Sequence, residues 1–180
     1  SERDRLKLLN IKDNLERYRF VLQRLLLYEV LSIYENIQPN LPDIHIDQNG
    51  KPYLKSSSIS FNISHSEEQY IIVVGSNKSQ VGVDIDTISK IRNPVKYSSI
   101  LFHNRIIKDP FILLCAWTVF EAYSKSTGIP LAQLFKSDFS YFAADLALGS
   151  KDIFYNNFKF FPFQCSPNAF ATICEKIVMY

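Results

Sequence analysis

Three short runs carry side chains whose types and spacing could act on a charged substrate. In Val81-Gly82-Val83-Asp84-Ile85-Asp86, strand alternation puts Asp84 and Asp86 on one face and Val83 and Ile85 on the other. Two neighbouring carboxylates repel, at a cost that a cation or a proton between them removes. A hard divalent cation such as Mg2+ takes oxygen ligands of this kind, with one or two carboxylates completed by substrate phosphates. A solvent-facing strand end would accommodate the same two residues. In Trp117-Thr118-Val119-Phe120-Glu121-Ala122-Tyr123-Ser124-Lys125, Glu121 and Lys125 are four apart and share a helix face. They read either as a surface ion pair or as a third carboxylate, able to act as a base, beside a lysine for a phosphate. In Phe61-Asn62-Ile63-Ser64-His65-Ser66, a strand running into a polar turn, Ser64, His65 and Ser66 offer donors to an anion. A hydrolytic Ser64–His65 pair is geometrically poor, because neighbours on a strand point to opposite faces.

These runs need elements to hold them. Apolar residues from Leu15 to Ile33 recur at helical spacing and predict a helix over about 13–37, ended by Pro39 and Pro42. Asp47 to Pro52 is turn chemistry between short extended pieces. Strands are expected at Ile59 to Ile63, Tyr70 to Gly75 and Val81 to Ile85, with Ser76 to Gln80 as the hairpin turn between the last two. Ile91 to Ile107 is ambiguous and broken by Pro94. A second helix is expected from Phe111 to Ser126, started by Asp109-Pro110 and closed by Thr127-Gly128-Ile129-Pro130. Strands are then expected at Phe139 to Phe142, Ile153 to Phe161 and Ala169 to Val178. Helix then strands, twice over, predicts an α+β fold of two duplicated halves, 1–80 and 81–180, joined near Gln80 into one compact unit. The duplication is visible only as element order.

The 180 residues are 47% hydrophobic and 21% charged, ordinary values for one packed domain rather than a disordered chain. A formal charge of +2 does not mark a nucleic-acid or membrane-surface protein, though it suits an anionic small ligand. No apolar run reaches the ~18 residues that span a bilayer. The opening Ser-Glu-Arg-Asp-Arg lacks the apolar stretch of a signal peptide, so a cytoplasmic protein is expected. The three cysteines form no CxxC pair or zinc spacing, and two lie in apolar stretches and read as buried thiols. The only methionine is Met179, and a natural N-terminal segment is expected to precede the chain.

Taken in order, Gly50-Lys51-Pro52-Tyr53, FNISHS, VGVDID and WTxxEAYSK followed by Gly128 closely resemble the Sfp-type 4'-phosphopantetheinyl transferase family, roughly from Glu16 to Gly128. The resemblance implies a pseudo-twofold α+β fold with coenzyme A bound between the halves. It implies that Asp84, Asp86 and Glu121 hold Mg2+, for which Mn2+ could substitute, and that Lys125 reaches the phosphates. Lys51, Ser64 and His65 match residues that hold the 3'-phosphate or nearby phosphates of coenzyme A, and Arg19 lies near the position of a family arginine. The implied activity is transfer of the phosphopantetheine arm to a serine of an apo acyl or peptidyl carrier protein, releasing 3',5'-ADP, by a monomer with Glu121 as general base. The alternatives are a weakly active or non-catalytic relative that binds coenzyme A or a carrier, and a metal-dependent phosphohydrolase.

Four features depart from the family pattern. Phe120 stands where many members have lysine, which predicts that Phe120→Lys raises turnover or leaves it unchanged. Asp86 replaces the commoner glutamate. The usual N-terminal strand is not evident before Asp13, where Lys7 and Lys12 are the candidate basic residues. The stretch between Asp86 and Trp117, which helps contact the carrier in that family, is short and poorly matched.

Overall fold

The computed structural model describes residues 2–36, 42–48, 50–55, 57–67, 69–76, 79–103 and 105–177. Pro39, Asn49, Asn77, Lys78 and Val178, which enter the expectations above, lie outside them. The chain divides into two compact units, Ser1–Ile59 and Ser60–Tyr180, and mixes helices with antiparallel strands. No helix among the described residues is long and apolar enough to cross a membrane.

The first unit holds α1 (Glu2–Asn10), α2 (Asn14–Glu35), β1 (Ile44–Ile46) and β2 (Pro52–Leu54). Where no strand was evident before Asp13, the chain is helical. Asp4 of α1 ties α1 to α2, pairing with Arg24 at 2.9 Å and accepting from Tyr28 Oη. Asp13 caps α2 by accepting from Glu16 N at 2.8 Å, which satisfies one of the orphan donors of the first turn. At the other end Asn36 adopts a left-handed φ of 52° and closes the helix onto Ser32 O. The β1–β2 turn is built as its residues suggest. Asp47 accepts from Lys51 N at 2.8 Å, and Gly50 takes the positive φ of 85° that the turn requires.

The second unit begins with the hairpin β3 (Ser60–Ser66) and β4 (Gln69–Gly75). It continues through β5 (Val81–Thr87), a 3-10 turn Ile88–Lys90, α3 (Pro94–Leu101), α4 (Pro110–Thr127), α5 (Leu131–Leu134) and α6 (Phe139–Ala147). It ends with β6 (Phe154–Tyr155), β7 (Phe158–Ser166) and β8 (Ala169–Lys176). The four-stranded sheet runs β5-β8-β7-β6, all antiparallel.

Four expectations are corrected here. β4 and β5 do not form a hairpin, because β4 pairs with β3 while β5 pairs with β8. Pro94 starts a helix instead of breaking one, since a proline at the first position loses no hydrogen bond there and Asn93 caps the turn through Lys96 N at 3.1 Å. Phe139 to Phe142 is helical. The aromatic run has strand propensity, but Phe139, Ala143 and Leu146 follow helical spacing and are buried together. Ile153 to Phe161 is two strands, because Asn156 and Asn157 both take positive φ, 46° and 64°, in a tight turn.

Helix α4 is the spine of this unit. Asp109 caps its start by accepting from Phe111 N at 2.8 Å, and Gly128 ends it at φ 79°. Its inner face meets β5 and β8 directly. A Cβ on Gly82 would lie 2.0 Å from Ala122 O and 2.7 Å from Ser126 N, so glycine is what lets strand and helix backbones touch. Behind this contact lies an aromatic core. Phe120 is fully buried, edge-on to Phe135 at 4.9 Å and to Phe139 at 5.2 Å, while Tyr123 stacks on Phe139 at 4.3 Å. Position 120 therefore fills the core, and the expectation that lysine would be tolerated there does not fit its surroundings. Cys115 and Cys174 are buried thiols, and Cys165 is exposed.

Candidate functional site

Strand β5 shares its ladder with β8 on one edge only. Along the other edge the N–H groups of Val83 and Ile85 point at side chains of β3: Val83 N donates to Asn62 Oδ1 at 3.0 Å, and Ile85 N to Ser64 Oγ at 3.3 Å. Asn62, Ser64 and Ser66 alternate along β3 and so project together. This row of side chains replaces a backbone ladder, satisfies buried donors and delivers two hydroxyls to the aspartates. Ser64 Oγ donates to Asp84 Oδ1 and Ser66 Oγ to Asp86 Oδ1, each at 2.9 Å.

Lys125 arrives from α4. Its ammonium reaches Asp84 Oδ1 at 2.6 Å and Ser64 Oγ at 2.9 Å, so its partner is the strand carboxylate and not Glu121 one turn earlier. Asp84 is buried, and its second oxygen, Oδ2, is enclosed with no hydrogen-bond donor. Burial raises the Asp84 carboxyl above its ordinary value, against the opposing pull of Lys125 and the Ser64 hydroxyl, with Asp86 adding to the rise. Glu121, half-buried, is raised for the same first reason, burial, and then by Asp84; Lys125 and Lys90 lower it, and Asp86 raises it again. Glu121 thus feels both aspartates and both lysines, so the three carboxylates form one electrostatic cluster.

Asp86 sits at the rim. Its Oδ1 also accepts from Thr87 N at 2.9 Å, and its Oδ2 faces Lys90 Nζ at 3.4 Å. Lys90 was not among the sequence candidates, because its link to Asp86 depends on the 3-10 turn that follows β5. Asn62 stands two residues before Ser64, as Ser64 does before Ser66, and that alternation is the signal in the sequence that it shares their role.

Among the described residues no three or more His, Cys, Asp or Glu side chains stand together so that they could hold a metal ion by themselves. The residues present nevertheless suit a hard cation. The donor set is all oxygen, Asp84 Oδ2 is buried and unmatched, and the mutual repulsion is of the kind a cation relieves. Hydrogen bonds bring together Ser64, Asp84 and Lys125, with Ser66 and Asp86 beside them, and Glu121 lies one turn before Lys125 on α4, within electrostatic reach of both aspartates. His65 projects to the opposite side of β3 from Ser64, exposed and 5.8 Å from the Tyr70 ring, so a Ser64–His65 nucleophile pair does not form. Arg19 and Lys51 belong to the first unit. There Arg19 pairs with Glu16 at 2.8 Å, and Lys51 lies half-buried in the β1–β2 turn.

Curated sequences similar to this chain share one description. It is 32% identical over 124 residues to a putative 4'-phosphopantetheinyl transferase of Haemophilus influenzae, covering 63% of this chain and 52% of that protein. It is 30% identical over 135 residues to the 4'-phosphopantetheinyl transferase gsp of Aneurinibacillus migulanus, covering 68% and 52%. It is 27% identical over 131 residues to the 4'-phosphopantetheinyl transferase HetI of Nostoc, covering 66% and 55%. The similarity expected from the four motifs is borne out, and the chain spans about half the length of the curated relatives it matches. No protein-family model matches the chain.

Proposed function

We propose that this chain acts as a 4'-phosphopantetheinyl transferase, moving the phosphopantetheine arm of coenzyme A onto a serine of an apo acyl or peptidyl carrier protein. The observation that carries this reading is the pairing of Lys125 on α4 with Asp84 on β5, where helix and strand meet at Gly82, with Glu121 one turn earlier on the same helix and within electrostatic reach of Asp84. The reading further expects two duplicated halves joined near Gln80, a cytoplasmic monomer, and coenzyme A as co-substrate with His65 among the residues that hold it.

Asp84, Asp86 and Glu121 would hold Mg2+ or Mn2+. When bound, such an ion supplies positive charge to the diphosphate oxygens. The serine hydroxyl attacks the phosphorus on the pantetheine side, its new O–P bond replacing the bond to 3',5'-ADP, which leaves. Glu121 takes the hydroxyl proton. Its raised carboxyl makes it a better proton acceptor than an ordinary glutamate. Lys125, on a rigid helix and already aimed at the cluster, meets phosphate charge as a point cation.

Phe120 bears on the alternative of a non-catalytic relative. Because it lies in the core, the phenylalanine leaves no gap among the charged residues, and the alternative loses that support. Incubation with coenzyme A, Mg2+ and a panel of apo-carrier proteins, read by intact mass, tests the reading. A gain of one phosphopantetheine on a carrier is expected, lost in Asp84→Ala and Glu121→Ala. Binding of coenzyme A without transfer to any carrier, or near-parental activity in either variant at saturating Mg2+, would overturn it.

A further inference from the structure

The two aspartates of the cluster are not equally open to a cation. Asp84 spends Oδ1 on Ser64 and Lys125 and keeps Oδ2 buried and unmatched. It can therefore accept a cation without releasing Lys125. Asp86 spends Oδ1 on Ser66 Oγ and Thr87 N, which leaves Oδ2 as its coordinating oxygen. That oxygen is the one Lys90 faces at 3.4 Å.

Lys90 has somewhere else to go. Its ammonium stands 5.3 Å from the Trp117 ring centroid, within the range of an attractive cation–π contact. Its side chain is 43% exposed, and it rides on a three-residue 3-10 turn closed by Ile91 N to Ile88 O at 2.9 Å. An ammonium in that position can leave the carboxylate while keeping the indole and water as partners. Lys125 cannot move so freely, because it is clamped between Asp84 and Ser64.

We propose that Lys90 is a resident counter-ion that competes with a divalent cation for Asp86 Oδ2, and so sets how tightly the site takes its metal. This rests on the metal reading above and goes beyond it in assigning a positioning residue outside the motifs. In the metal-free protein Lys90 lowers the repulsion within the cluster. On cation binding it yields Asp86 and remains over Trp117. A partly exposed ion pair is worth up to ~1 kcal/mol, so its loss should tighten cation binding by up to about fivefold.

The test measures binding, not turnover. Mn2+ affinity is determined by electron paramagnetic resonance, without coenzyme A, for the parent, Lys90→Met, Lys90→Arg and Asp84→Ala. Lys90→Met is expected to bind several-fold more tightly than the parent, and Lys90→Arg, which keeps the charge, to stay close to the parent. Trp117 is the chain's single tryptophan, so its emission during Mg2+ titration reports on the ammonium beside it. The parent should show a saturable change that Lys90→Met lacks. Equal or weaker Mn2+ binding in Lys90→Met would overturn the proposal while leaving the metal site intact. No Mn2+ binding in any protein, or unchanged binding in Asp84→Ala, would sink the metal reading and this inference with it.

Discussion

Asp84→Asn keeps the size of a buried side chain, keeps an oxygen for Ser64 and Lys125, and removes a charge. The parent carboxylate has one well-matched oxygen and one enclosed without a donor. An unmet buried polar atom costs about 1–3 kcal/mol, more when charged. The amide nitrogen of asparagine would be unmet as well, so part of that cost remains, but the charged part goes. Against this, Lys125 loses an ionic partner, but its pull on Asp84 is smaller than the opposing effect of burying the carboxylate, and its own side chain, 30% exposed, keeps water as a partner. The balance favours the variant by about 1 kcal/mol without metal, a rise in Tm of about 2–4 °C for a chain of this size.

The sign of the pH dependence follows from the same carboxylate. Burial raises Asp84 above its ordinary 3.8 despite Lys125 and Ser64, so the native state keeps this proton to higher pH than the unfolded chain does. The stability the group contributes is complete below 3.8 and is lost as pH rises through the folded value. Asparagine has no such loss. The Tm difference between Asp84→Asn and parent should therefore be small in acid and widen as pH rises through that window. Thermal scans across pH without metal, then with saturating Mg2+, check this. Mg2+ at ten times its Kd should raise the parent by about 1.4 kcal/mol and leave the variant unmoved. A variant less stable than the parent at neutral pH without metal, or a gap that ignores pH, would refute the reasoning, since Lys125 would then more than offset the burial of the charge.

Two further outcomes follow from the contact between β5 and α4. Phe120→Lys should fail to fold or lose most of its stability, because emptying a site of this size costs about 3–5 kcal/mol before the buried ammonium is counted. Circular dichroism melting of Phe120→Lys beside Phe120→Leu checks it, and a cooperative melt for the lysine variant near the parental Tm would contradict the buried placement. Gly82→Ala should lower stability by about 1–3 kcal/mol and transfer by more than its stability loss explains, because the added carbon meets Ala122 O and lifts Glu121 and Lys125 away from Asp84. Thermal scans and the carrier-labelling rate, taken well below the variant's Tm, separate the two effects.

The parts of this protein legible in its sequence are those fixed by local rules. The Asp109-Pro110 start of α4, the Gly128 stop and the alternation that sets Asp84 beside Asp86 all act within a few residues. What was misread depended on distant partners. Phe139 to Phe142 has strand propensity, and only packing against Tyr123 and Phe160 makes it a helix face. The β4–β5 turn looks like a hairpin until β8, nearly ninety positions on, claims β5. Lys125 had an apparent partner in Glu121 at helical spacing, and lost it to a strand that approaches only because residue 82 has no side chain.

Ser64 shows how closely fold and chemistry are bound together in this unit. A hydroxyl has one proton to give and two lone pairs to share. The Ser64 hydroxyl gives its proton to Asp84 and accepts from Lys125 and from Ile85 N, so its capacity is full. It cannot donate to a phosphate while it also holds Asp84, and the resemblance that assigns it to coenzyme A asks it to choose. His65 projects from the other side of β3 towards Tyr70, away from this hydroxyl. The same hydroxyl also satisfies an edge donor of β5 that lies between sheets. A residue that closes the seam, orients the aspartate and steadies the lysine is better explained as what positions the charged cluster than as one of the groups that touch the substrate.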